Sequence, residues 1–211
     1  MASKTRSFLK DENRDFDNIL DSMLNLADSS AQTVTSAVEV AGASSIATTA
    51  QMTAGTGITT GTGTLYKASV VTIGNIIYTD ILIDVTGLSS EAAGDIIGKA
   101  STANSHIGQI TAAVNGTIFG GSVTCLEVPG QGDPDIDLYY ADEATEGAAV
   151  SGLSNQVQVT NNGDHTIGRV TPFLDTVFPA ANKYLYLVDG GGTNAVYNAG
   201  RLLIRMYGYA A

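Results

Sequence analysis

A 36-residue stretch that can build no core divides this chain into parts of different character. From Ser29 to Thr64, 27 residues are Ser, Thr, Ala or Gly, Glu39 is the single charged residue, and neither proline nor an aromatic residue occurs. So little apolar surface cannot offset the entropy of ordering, and composition predicts a tether spanning roughly 30–36 Å as a flexible coil. Before it, Met1 to Asp28 holds 10 of the chain's 31 Lys, Arg, Asp and Glu residues. After it, short β-rich runs alternate with glycine-rich turns to the end of the chain. The expected organisation is a helical arm over 1–28, a tether over 29–64 and a β body over 65–211.

Apolar residues in the arm recur at helical spacing. Phe16, Ile19, Leu20, Met23, Leu24 and Leu26 fall three and four apart, which gives one apolar stripe on a helix over Asp11–Ala27. Asp11, Glu12, Asp15 and Asp17 suit its N-terminal end through the helix dipole. A helix this short is marginal alone, so the stripe needs a partner: the body, the same helix in other copies, or another protein. In the tether, Val34, Val38 and Val40 share one face of an alternating run and fit a strand added to an open sheet edge. These two sets, Phe16, Ile19, Leu20, Met23 and Leu24 with Val34, Val38 and Val40, are the candidate interface residues. The run GTGITTGTGT lacks the Lys-Ser/Thr ending of a phosphate loop and does not lead into a helix.

The body is expected to be mainly β, an antiparallel β-sandwich or jelly roll, with the N-terminal helix and extended arm attached. Leu65–Ile73 and Ile76–Val85 flank Gly74-Asn75, and Ile107–Val114 and Thr117–Val128 flank Asn115-Gly116, so each pair predicts a hairpin. Further strands are expected at Ile96–Lys99, Ile136–Tyr140, Gln156–Thr160, Thr166–Thr171, Lys183–Val188 and Arg201–Tyr207. Weak helical signals stand at Ser89–Ala93 and Glu143–Ala149.

Composition narrows the function. A formal net charge of −11 argues against nucleic acid and anionic membranes as partners, since both are bound through clustered Lys and Arg. No run approaches the roughly 20 apolar residues that span a bilayer, and synthesis in a cytoplasm is expected. Cys125 is the single cysteine and reads as a buried thiol. GxSxG, HExxH and CxxC are all absent, and His106 and His165 stand far apart, so no enzyme is expected.

Asp133, Asp135 and Asp137 form the one candidate metal site. Three carboxylates on alternate residues project from one face of a strand, and calcium takes oxygen ligands of this kind. The EF-hand pattern fails, with Leu138 in the glycine position and Ala144 in that of the bidentate glutamate. The competing reading is a solvated outer face with Ile136 and Leu138 inward. Tyr139, Tyr140, Tyr184, Tyr186, Tyr197, Tyr207 and Tyr209 crowd the second half, where alternation turns some outward as interface candidates.

Three groups of segments carry a resemblance. GTGITTGTGTLYKASVVTIGNIIYTDILIDVTGLSSEAAGDIIG, then HIGQITAAVNGTIF with CLEVPGQGDPDIDLYYADEATEGAA, and finally ANKYLYLV with AGRLLIRMYGY, resemble virion structural proteins of marine tailed phages. The resemblance spans Gly55 to Tyr209 and brings no catalytic motif. It implies a component present in many copies on the virion: a capsid decoration or cement protein, with a head fibre or a tail receptor- or carbohydrate-binding module as the alternative. The major capsid protein and other copies of the chain are the implied partners, in a homo-oligomer for which a trimer suits the three-fold sites of a shell.

Overall fold

The computed structural model describes residues 47–48, 52–98, 100, 102–144, 149–161 and 163–210. The arm helix and the eight candidate interface residues Phe16, Ile19, Leu20, Met23, Leu24, Val34, Val38 and Val40 lie outside these. Strands β1 to β6 cover Ala47–Thr48, Leu65–Ile73, Ile76–Asp84, Ser89–Ser90, Gly108–Gln109 and Thr117–Gly130. Strands β7 to β12 cover Ile136–Ala141, Val157–Gln158, Val170–Pro172, Tyr184–Asp189, Ala195–Val196 and Ala199–Tyr209. One-turn helices α1 (Thr56–Thr59) and α2 (Ala112–Asn115) punctuate them.

The body is an antiparallel β-sandwich. A six-stranded sheet runs β1-β2-β3-β12-β6-β9, and a four-stranded sheet runs β5-β10-β7-β8. Period-two alternation sends Ile77, Ile81 and Ile83 of β3, Leu202, Ile204 and Met206 of β12, and Val123 and Cys125 of β6 into the space between the sheets. Ile136 and Leu138 of β7 and Leu185 and Leu187 of β10 meet them from the other side in one apolar cluster. Each such aliphatic side chain contributes about 1.5–3 kcal/mol on burial.

The two sheets differ in how they are covered. The far face of the four-stranded sheet holds a second cluster, in which Ala141, Tyr186 and Val188 pack with Ile96 and Val150 from flanking loops. The small sheet is therefore apolar on both faces. No second apolar cluster covers the far face of the large sheet among the described residues.

Three expectations are corrected. The hairpin at Asn115-Gly116 does not form: Gly108–Gln109 pairs with β10, and Ala112–Asn115 coils into α2, whose first turn is capped when Val114 N–H donates to Thr111 Oγ1 at 3.2 Å. Gly116 ends that turn at φ +65°, with backbone carbonyl Tyr209 O so near that a Cβ would sit 2.3 Å from it. Residues 52–64, grouped with the tether by composition, belong to the body instead. Met52 and Ile58 are buried in its core, and α1 is tied down when Gly55 and Gly57 donate to the carbonyls of His106 and Asn104. Ser89–Ser90 is a strand rather than a helix start, and it pairs with β11.

The Gly74-Asn75 hairpin forms as expected, with β2 and β3 in register from Leu65↔Asp84 to Ile73↔Ile76. Gly74 takes φ +61° at the first central position, the conformation in which glycine turns a two-residue loop of this kind.

Candidate functional site

The outer face of the large sheet follows from the same alternation that fills the core. With Ile77, Thr79, Ile81 and Ile83 inward, β3 turns Ile76, Tyr78, Asp80, Leu82 and Asp84 outward. Across the β12 ladder these stand opposite Tyr209, Tyr207, Arg205, Leu203 and Arg201. Five rows result: aliphatic–aromatic, aromatic–aromatic, acid–base, aliphatic–aliphatic and acid–base. Strand β2 extends them with Ile73, Val71, Ser69, Lys67 and Leu65.

Aromatic rings gather at one end of this face. Tyr78 meets Tyr207 edge-on at 5.7 Å between centroids, and Phe119 of β6 lies nearly parallel to Tyr207 at 6.3 Å. Phe119 is 49 % exposed, Tyr209 48 % and Ile73 51 %. Of eleven large apolar side chains exposed among the described residues, eight sit on strands of this sheet, more than scattered surface hydrophobics require.

Two ion-pair rows cross the same face. Arg205 donates Nε and an Nη to the two carboxylate oxygens of Asp80, each at 2.8 Å. Arg201 donates Nε to Asp84 at 2.9 Å and lies 3.4 Å from Glu127 of β6. Burial pushes the Asp84 carboxyl up, yet hydrogen bonds from the Thr86 hydroxyl and backbone, with Arg201 beside it, outweigh burial and hold it below its usual value. The hydrogen bond to Asp80 raises the Arg205 guanidinium above its ordinary range.

The aspartates expected to bind metal are placed differently from either reading. Asp133 and Asp137 are each 6 % exposed, so neither lies on a solvated face, while Ile136 and Leu138 point inward as expected. Asp133 accepts from the Thr193 N–H and hydroxyl at 3.2 and 2.9 Å and from the Asp135 N–H at 2.9 Å. Asp137 accepts from Gln158 Nε2 at 2.7 Å. Among the described residues no three His, Cys, Asp or Glu side chains are gathered to hold a metal ion. Of the three, Asp133 serves as a loop anchor, its two oxygens held by the Asp135 and Thr193 donors.

Asp189, which the sequence reading passed over, completes that anchor. Fully buried, it accepts from the Ser90 hydroxyl at 2.6 Å and from the N–H groups of Gly191 and Gly192 at 3.0 and 2.6 Å. The glycines let carboxylates approach the backbone: a Cβ on Gly190 would stand 2.5 Å from the Asp135 carboxylate, and one on Gly191 2.3 Å from that of Asp133. Burial raises the Asp135 carboxyl, and the nearby charges of Asp133, Asp164 and Asp189 raise it further.

The two histidines are apart and differently employed. His165 is buried, with Nε2 2.9 Å from the Ile136 carbonyl, which can only accept, so Nε2 carries the proton. His106 stacks obliquely on Tyr184 at 4.9 Å. Burial lowers both imidazoles. An open cleft of about 360 Å³ between the 52–59 segment and β2 is lined by Met52, Thr53, Ala54, Thr59, Tyr66, Lys67 and Ala68. The Tyr66 hydroxyl is engaged, donating to the Ile107 carbonyl at 2.7 Å.

Of the tyrosines marked as interface candidates, Tyr186 and Tyr197 are fully buried, whereas Tyr207 and Tyr209 lie on the outer face. Tyr78 and Phe119, which the sequence reading did not single out, join them. Alternation from Gly74-Asn75 outward was the available signal for Tyr78. For Phe119 it was hidden by the register shift between β6 and β12 at Tyr207/Gly208. Comparison with protein-family models, with curated proteins and with solved structures finds no match for this chain.

Proposed function

We propose that this chain is a non-enzymatic virion structural protein of a tailed phage, a capsid decoration or cement protein on the outside of the shell. It is made in the host cytoplasm and binds the major capsid protein and neighbouring copies, its N-terminal arm serving as a reaching element. The observation that supports this reading is the outer face of the large sheet, where Ile73, Tyr78, Phe119 and Tyr209 are exposed on the sandwich. Such a surface suits a protein that works by covering and joining others. The resemblance of Gly55–Tyr209 to phage virion proteins supplies the particle.

Co-sedimentation with capsids lacking this component tests the proposal. Full-length protein is expected to travel with the shells, and a shortened chain beginning at Gly42, ahead of β1, is expected to lose most of that binding. Shells that carry down neither protein would overturn the decoration reading. Equal binding by both would remove the arm from it.

The aromatic end of the sheet favours a second reading, a carbohydrate- or receptor-binding module on a head fibre or tail. Exposed Phe119 beside Tyr207 offers ring faces on which a sugar can stack. A glycan array that shows binding lost on Phe119→Ser would select this reading, and a blank array would remove it.

A further inference from the structure

We propose that the outer face of the six-stranded sheet is where a second copy of this chain packs, face to face about a two-fold axis running along the strands between β3 and β12. The proposal concerns contact between copies, and it stands or falls independently of any capsid.

The boundary between β3 and β12 is the middle of the sheet, with three strands on either side. A two-fold axis along that boundary lays β3 of one copy over β12 of the other at the same height. Each outward residue of β3 then faces the residue that is already its ladder partner within one copy. Tyr78 faces Tyr207, Leu82 faces Leu203 and Ile76 faces Tyr209. Asp80 faces Arg205 and Asp84 faces Arg201, so each ion pair of a single copy becomes a quartet of alternating sign. The same rotation lays β2 over β6, where Lys67 meets Thr124, Ser69 meets Ser122 and Leu65 meets Glu127, and no like charges are opposed.

Charge on this face also permits the approach. Copies of a chain with net charge −11 repel one another over most of their surface. Here Lys67, Arg201 and Arg205 balance Asp80, Asp84 and Glu127. Three of the five Lys and Arg residues described, the others being Arg169 and Lys183, are thus on one neutral face. Four strands about 4.8 Å apart and nine residues at about 3.3 Å each make its centre roughly 19 by 30 Å. With side-chain relief and the flanking β1 and β9, that approaches the roughly 800 Å² per partner of a stable interface. Sheets stacked in this way lie about 10 Å apart with their strands within about 30° of parallel. A face that meets itself generates a two-fold, so the basic unit is a dimer rather than the trimer that the three-fold sites of a shell suit.

A charge swap tests the geometry in the full-length protein. Arg205→Asp makes the central row wholly acidic, and Asp80→Arg makes it wholly basic. Wild-type protein is expected to sediment as a dimer. Each variant alone, while still folded, is expected to dimerise more than about tenfold more weakly, because like charges then face each other. An equimolar mixture of the two is expected to regain the dimer, since an acidic row then faces a basic one. If either swap unfolds the chain, Phe119→Lys and Tyr209→Lys, both at exposed positions, are expected to separate the copies instead. A monomeric wild type, or a dimer that survives these variants, would overturn the proposal. So would variants that leave the oligomer intact yet lose capsids or glycans, which would assign the face to that partner.

Discussion

Asn115 donates its side-chain amide to the Thr79 hydroxyl at 3.1 Å, joining the end of α2 to the inward face of β3. The same side chain accepts from the Thr111 N–H at 2.9 Å and lies 3.3 Å from the Met52 sulfur, so it binds three segments from a fully buried position. Asn115→Ala removes all three contacts and leaves the part-buried Thr111 N–H without its acceptor. The expected loss is about 1–3 kcal/mol of unfolding free energy, measured by urea denaturation at unchanged m-value.

Cys125 lies on β6, fully buried beside Leu202, and burial raises its thiol so that little thiolate exists at neutral pH. Alkylation of the native protein by iodoacetamide is expected to be negligible over hours and complete within minutes in denaturant, as read by mass spectrometry. Rapid native labelling would show that β6 opens locally far below the global unfolding free energy.

Gly191 is the tightest point of the acidic loop. Its N–H donates to Asp189, and a Cβ there would overlap Asp133, whose carboxylate is held by Thr193. Gly191→Ala must therefore displace a tethered side chain rather than a free one. The expected cost is about 1–3 kcal/mol, seen as a lowered melting temperature, while Gly152→Ala, where a Cβ meets nothing, is expected to leave stability nearly unchanged.

Strand alternation made the sandwich legible, because a residue two along the chain shares its face whatever the partner strand. Leu65–Ile73 and Ile76–Asp84 were readable to within a residue for that reason. Local turn chemistry misled at Asn115-Gly116, where the asparagine side chain is drawn into the core and the glycine ends a helical turn. Composition misled at 52–64, since Met52 and Ile58 are only two apolar residues among many small ones, yet both enter the core. The outer face was half legible: alternation gives its rows, but the pairing of β3 with β12 joins residues that lie 117 and 125 positions apart at its ion pairs, a distance that no local pattern reports. Asp133 and Asp137 were visible as a carboxylate pattern, while their donors Thr193 and Gln158 come from loops and strands fixed only by the fold.

Asp135 is expected to oppose folding at neutral pH. Burial, then the charges of Asp133, Asp164 and Asp189, raise its carboxyl above the ordinary 3.8, and its buried Oδ1 finds no hydrogen-bond donor. The folded chain consequently holds this proton more tightly than the unfolded chain. This contribution to stability is full below pH 3.8 and is lost as pH rises through the folded value. Asp135→Asn is expected to raise the melting temperature at pH 7, with the gain shrinking as the pH falls toward 3.8. A gain of equal size at both pH values would trace it to packing rather than to charge.

His165 acts in the opposite sense. Burial lowers its imidazole below the ordinary 6.5, although the Ile136 carbonyl, which accepts from Nε2–H, partly counters that. The unfolded chain therefore takes up the proton first, and stability is lost as pH falls from 6.5 through the folded value. His165→Gln keeps an amide donor within reach of Ile136 while removing the titration. Melting curves between pH 7.5 and pH 5 are expected to show the wild type losing stability more steeply than the variant, whatever the cost of the substitution at pH 7.5. Parallel curves would mean that the imidazole titrates at its ordinary value and that the ring is accessible to solvent in the folded chain.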